Sequence, residues 1–290
     1  MKVDIAAIFI SRIPSLRTLD RIRIFDTFSE IKDLIKLNRR DLEFILNKKV
    51  SGLVFKPLDI LDESERIFND VKKSNIELIN FWSNSYPFLL REIYNPPFLI
   101  YKRGGDFIRD FPSIAVIGTR NPSQIGLRAA FNLGLEIADF DIYLVSGLAV
   151  GIDRAAHAGI VSRKGNTVVV LGNGIDFIYP SENRVLGQSI VDNGGILLSE
   201  YPPGTPPYKY NFPARNRIIS GLCQSVVVIE APEKSGALIT AEFALDQGRD
   251  VYIHRSSINS SKGAGCRKLL FDGAGIIGSL GDFVGCKEAV

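Results

Sequence analysis

The sequence has 290 residues, 46% apolar and 23% charged, with a formal net charge of +3 and a pI near 8.7. That balance describes a globular protein with a sizeable core and excludes both intrinsic disorder and a surface cationic enough to coat duplex DNA through phosphates alone. Any positive patch must be local, and three cysteines (Cys223, Cys266, Cys286) with no C-x-x-C pair point to a reducing compartment.

At the N-terminus the apolar run Ile5 to Ile10 is too short for a signal-peptide core, and Asp4 is the wrong flank for one. No apolar run approaches the roughly 18 residues of a membrane span, so a cytoplasmic location is expected. Residues 1–75 read as a small helical module of the SAM or helix-hairpin kind. Ser29 is placed to cap a helix carrying Ile31, Leu34 and Ile35. Asn38 and Asp41 then restart the pattern with Leu42, Ile45 and Leu46 on one face.

Residues 76–110 are rich in aromatics and proline (Trp82, Tyr86-Pro87, Tyr94, Pro96-Pro97) and read as an extended connector with at most one short helix. Beyond Asp110 the pattern changes. Short β-branched runs at 114–117, 142–145, 167–171, 196–198, 225–229 and 251–253 alternate with helical patterns near 124–139, 152–163, 183–193, 213–222 and 236–248. Continuous apolar strands separated by helices predict an α/β fold over 111–285, a doubly wound, mostly parallel Rossmann-like sheet.

Ligands of such sheets bind beyond the carboxyl ends of the strands, near the switch in strand order. The first three strands end in Gly118-Thr119-Arg120, Ser146-Gly147 and Gly172-Asn173-Gly174, turns that let a ligand approach the backbone and the following helix N-terminus. Strand–helix turns use glycine in any case, so each turn alone is weak evidence. There is neither a G-x-G-x-x-G after the first strand nor a G-x-x-x-x-G-K-[ST], which argues against NAD and ATP; no cofactor is expected.

Tyr201 to Ile229 contains no acidic residue but holds Lys209, Arg215 and Arg217, with Tyr208, Tyr210 and Phe212 among them. Basic groups interleaved with aromatics suit single-stranded nucleic acid: charge follows the backbone and π-faces accept unpaired bases. Lys209 and Arg217 are expected to contact phosphates. The bland reading is that the arginines pair with acids such as Glu200 or Glu230, and at least one of the two is expected to do so. His157 shares a helix face with Asp153, a pair for which a structural role is expected rather than catalysis or metal binding.

The strings IGTR (117–120), SGLAVGIDRAAHAG (146–159), LGNGIDFIYPSEN (171–183), SEYPPGTPPYKYNFPARNRIISGL (199–222) and EAPEKSGALITAEFALDQGRDV (230–251) together resemble the DNA-processing protein A (DprA/Smf) family. The resemblance runs in order across the Rossmann-like region. It implies a non-enzymatic, homodimeric protein that binds single-stranded DNA, protects incoming strands in natural transformation and helps load the RecA recombinase. It places the DNA pocket at Arg120, Lys209, Phe212, Arg215, Asn216 and Arg217, with Gly118, Ser146 and Gly147 as a backbone cradle. Departures occur at His254-Arg255, where members commonly have Pro-Gly, and at Arg267, where Asn is usual; they bear on the local turn and the later dimer surface rather than the pocket. The chain stops at Val290, so functions of the winged-helix-like C-terminal domain of many members are expected to be missing.

Two other readings stand beside this one. A Rossmann-like nucleotide hydrolase would use Glu230 or Glu242 as its general acid or base. An interaction adaptor would use the N-terminal module and leave the Rossmann-like region inert.

Overall fold

The β-branched runs become strands of one nine-stranded sheet in a computed structural model that describes residues 2–50, 52, 54–107 and 112–285. The N-terminal segment forms α1 (Lys2–Arg12), α2 (Thr18–Thr27), α3 (Ile31–Leu34), α4 (Arg39–Leu46) and α5 (Pro57–Lys73). Asn38 caps α4 as its position predicts: its side chain accepts from the Arg40 and Asp41 N–H groups, and the Asp41 carboxylate accepts from Asn38 N–H in return. The cap expected of Ser29 does not form. The N-cap of the four-residue α3 is Glu30, without a side-chain bond.

Next come β1 (Glu77–Asn80), α6 (Phe88–Arg91) and β2 (Leu99–Gly104), then β3 (Ser113–Ile117), α7 (Gln124–Ala138), β4 (Tyr143–Ser146), α8 (Ile152–Ser162) and β5 (Thr167–Leu171). The chain continues through α9 (Arg184–Asp192), β6 (Ile196–Ser199), α10 (Asn211–Gly221), β7 (Ser225–Val228), α11 (Gly236–Asp246), β8 (Asp250–His254), α12 (Ala264–Phe271), β9 (Gly275–Ile277) and α13 (Leu280–Gly285). The strand order is β1-β2-β6-β5-β4-β3-β7-β8-β9. From β6 to β9 every pairing is parallel, while β2 joins β6, and β1 joins β2, antiparallel. The Pro- and aromatic-rich stretch read as a connector therefore contributes two strands to the main sheet.

Strand alternation sends side chains into two helical layers. Val168 and Val170 of β5 join a core with α10, α11 and α12, whereas Val169 and Leu171 face the opposite layer. In that layer α7 and α8 cover the sheet centre, and α1 to α5 cover β2, β5 and β6 through Ile8, Phe9, Leu99, Tyr101 and Leu197. The N-terminal helices thus share one hydrophobic cluster with the sheet. No described helix is long and apolar enough to cross a membrane. Cys223 and Cys266 are buried free thiols, and burial pushes both up from the ordinary thiol range; Cys286 lies outside the described residues.

Candidate nucleic-acid interface

Order reverses at β3, which lies between β4 and β7, so the crevice favoured for ligands lies between the ends of β3 and β7. Here the protein fills that crevice itself. Glu230, fully buried at the end of β7, accepts from Ser123 N–H (2.8 Å), Ser123 Oγ (2.7 Å) and Ser260 Oγ (2.6 Å). Its carboxylate takes the place beside the N-terminus of α7 that an anionic ligand would use. Glu242, the other acid of the hydrolase reading, is exposed on α11. The geometry does not pair the two around a shared cavity.

The open part of the carboxyl edge lies toward β5 and α10. Asn173, buried after β5, donates to the carbonyls of Gly174 and Phe177 (2.9 Å each), and its own carbonyl accepts from Ser199 Oγ at 2.6 Å. The loop leading from β6 to α10 is tied to this turn by Gly174 N–H to Thr205 O and Gly204 N–H to Asp176 Oδ1, both 2.9 Å. These bonds fix the segment carrying Tyr208, Lys209 and Tyr210. All three are exposed, and the tyrosine rings stack 5.4 Å apart at an interplanar angle of 6°.

Phe212, in the first turn of α10, lies directly on the β5 turn: a Cβ at Gly172 would come within 2.8 Å of its ring. That requirement for glycine is one of close approach. The exposed Arg120 guanidinium sits 5.6 Å from the Phe212 ring centroid, and Tyr179 lies 5.8 Å away on the same ring. Arg120, Phe212, Tyr179 and the Tyr208–Lys209–Tyr210 segment therefore form one basic, aromatic ledge above β3 to β6 and the α10 N-terminus. Tyr179 is absent from the set read off the sequence, because it follows β5 by eight residues with no basic neighbour to mark it.

The other expected site residues lie beneath or beside this ledge. Gly118 packs between Ile152 and the Glu230 carbonyl, and Ser146 is buried with its hydroxyl donating to Val116 O at 2.6 Å. Arg215 and Arg217, expected to contribute to a positive patch, are both buried. Arg217 donates to Glu200 at 2.7 Å and to the Asn95 carbonyl at 2.8 Å, the acid pairing anticipated for at least one arginine. Arg215 passes under the ledge, where its guanidinium donates to the carbonyls of Gly147 (3.2 Å) and Val170 and faces Asp153. Asn216 turns the other way, accepting from Arg215 Nε and donating to Gly236 O. The sequence shows basic residues without nearby acids, but Glu200 and Asp153 arrive from other strand ends.

Gly147 fits this arrangement, since a Cβ there would lie 2.6 Å from the Arg215 nitrogens. Asp153 accepts from the N–H groups of Gly147 (3.2 Å) and Ala149 (3.4 Å). Burial raises its carboxyl above the usual range, and Arg215 opposes that. His157, on the same helix face, is fully buried with Nδ1 2.9 Å from Thr167 Oγ1, and burial holds its ring neutral, down at about 3. Among the described residues no group of three or more His, Cys, Asp or Glu side chains is arranged to hold a metal ion.

Comparisons with known proteins match this architecture. Residues 77–286 fit the family model for DNA recombination-mediator protein A. The chain is 42% identical over 194 residues to the DNA processing protein DprA of Streptococcus pneumoniae, covering 67% of this chain and 68% of that protein. It is 41% identical over 218 residues to DprA of Bacillus subtilis, covering 75% and 73%. The crystal structure of S. pneumoniae DprA superposes with a TM-score of 0.79 at 32% identity, over 98% of both chains. A Helicobacter pylori DNA processing protein A, solved for its single-stranded DNA binding mode, superposes at 0.65 with 29% identity over 74% of this chain and 96% of that one. The ordered strings around Arg120, Gly147 and Arg215, the sheet that unites them and these matches place the chain in the DNA recombination-mediator protein A (DprA/Smf) family.

Proposed function

We propose that this protein binds single-stranded DNA along the carboxyl edge of its sheet and acts as a recombination mediator, protecting incoming strands in natural transformation and assisting RecA loading. The observation that carries the proposal is the ledge in which exposed Arg120 covers Phe212, with Tyr179, Tyr208, Lys209 and Tyr210 alongside. Arg120 and Lys209 supply phosphate contacts, while Phe212 and the tyrosines supply stacking faces. Gly118, Ser146, Gly147, Arg215, Asn216 and Arg217 act beneath the strand, holding the strand ends and α10 in place. This reading has support from the related H. pylori protein, which binds single-stranded DNA.

The function needs no catalytic step, and the Glu230 carboxylate is already engaged by Ser123 and Ser260. On this reading it operates in the cytoplasm. The test is anisotropy with labelled oligo-dT at two salt concentrations against a duplex competitor, followed by RecA filament assembly on the coated strand. Salt-sensitive binding that duplex does not displace is expected, with faster RecA assembly. Absence of binding at micromolar protein rejects the reading.

The protein further acts as a homodimer through the sheet edge at β9, where Phe271 is 92% and Ile276 40% exposed beside a strand that, among the described residues, pairs on one side. Phe271→Glu is expected to give the monomer mass in sedimentation with unchanged circular dichroism. A dimer that survives the substitution removes this edge from the interface.

A further inference from the structure

A second cationic cleft, of about 730 Å³, opens between the N-terminal helices and α10. Four arginines line it: Arg12, Arg17 and Arg21 from α1, α2 and the turn between them, and Arg217 from α10. Two are neutralised locally, Arg12 by Glu63 at 2.9 Å and Arg217 by Glu200 at 2.7 Å. Arg17, the N-cap of α2, and Arg21, in its first turn, have no ion-pair partner among the described residues. The nearest acid in sequence, Asp20, is held by Lys48 at 2.7 Å. Among the described residues the Arg21 guanidinium reaches only the Ile13 carbonyl, at 3.5 Å, and its Nε is buried without a partner. Burial pulls the Arg21 guanidinium below its ordinary range and Arg12 and Arg217 add to this, while Glu200, which also lines the cleft, and Asp20 oppose it.

A guanidinium N–H buried without a partner, beside the exposed Arg17, suits an anion. The surroundings indicate which anion. Tyr94 is 86% and Leu19 59% exposed at this cleft, so charge stands beside aromatic and apolar surface, the pairing that a nucleotide chain uses and a bare phosphate does not. The cleft also shares a helix with the ledge. Phe212 in the first turn of α10 packs on Gly172, while Ala214 and Arg217, three apart on another side, line the cleft. A helix is only about 10 Å across, a short step for an extended strand.

We propose that this cleft is a second binding segment for the same single strand, so that the strand leaves the Phe212 ledge, rounds the N-terminal turn of α10 and places a phosphate on Arg17 and Arg21 with a base against Tyr94. The N-terminal helices are then part of the DNA-binding surface. This inference rests on the reading of the ledge given above.

The experiment compares oligo-dT of about 6 and about 20 nucleotides, within and beyond the length one such groove holds. It uses the full chain, an Arg17→Ala/Tyr94→Ala variant altered only at exposed side chains, and Arg120→Ala. The double variant is expected to bind the short strand like the wild type. For the long strand its affinity should drop about tenfold, and its salt slope should fall by about 0.7, the value of one arginine–phosphate pair. Unchanged long-strand binding overturns the second segment, as does an equal drop at both lengths. Arg120→Ala is expected to weaken both lengths. If it weakens neither, the ledge itself is misread, an outcome distinct from failure of the cleft alone.

Discussion

Replacing Arg120 and Phe212 together by alanine is expected to cost roughly 2–4 kcal/mol of single-strand affinity, about 30- to 700-fold. The two side chains act as a unit, because the Arg120 guanidinium lies 5.6 Å from the Phe212 ring and covers a face that a base would share. Loss of Phe212 removes a stacking platform worth about 1–3 kcal/mol, and loss of Arg120 removes a phosphate partner worth about 0.7 in the salt slope of single-strand binding. Arg120 is exposed and Phe212 only half-buried, so the fold should survive, and circular dichroism checks that it does. The measurement is anisotropy across a salt series. A folded double variant with wild-type affinity would remove the ledge from the interface.

Arg215→Ala is expected to act on stability, at about 3–5 kcal/mol, rather than chiefly on binding. The guanidinium, 4% exposed, is held by the carbonyls of Gly147 and Val170 and stands against the buried Asp153. Burial pulls Arg215 down to about 10, and Asp153 opposes that shift. Truncating the arginine leaves a buried carboxylate without its counter-charge and opens a cavity beside Gly147. The midpoint of thermal unfolding should fall by on the order of 10 °C.

The pH dependence has a definite sign. Without Arg215 the Asp153 carboxyl rises further above its unfolded value, so the folded variant binds a proton more readily than the unfolded chain. The deficit relative to the wild type therefore shrinks as pH falls through that raised value. Asp153→Asn in the same background should recover part of the stability at neutral pH. An Arg215→Ala protein that melts like the wild type but no longer binds DNA would return this residue to the ligand surface.

The secondary structure was legible because its causes are local. Period-two and continuous β-branched runs read as β3 to β8, Asn38 with Asp41 marks the start of α4, and six strands alternating with five helical patterns specify a doubly wound sheet. The edge bearing the candidate site was legible too, since each crossover places its turn at the carboxyl end of a strand. Phe212 and Lys209 stood out because short-range composition sets base-stacking and phosphate-binding potential, whereas Arg120 was marked by the family resemblance at its strand-end turn.

The tertiary structure decided what depends on distant partners. Whether an arginine is a phosphate contact or a strut turns on the acid opposite it, and Glu200 and Asp153 reach Arg217 and Arg215 only through the sheet. The antiparallel pairing of β2 with β6 draws a proline-rich stretch into the sheet through long-range hydrogen bonds that no local pattern encodes. Likewise the filled switch point and the arginine cleft beside α10 exist only because residues far apart in the chain meet there: Ser123, Ser260 and Glu230 in one case, Arg21 and Arg217 in the other. Burial and charge compensation are properties of the packed chain, and they separate the residues that can touch DNA from those that hold the surface in shape.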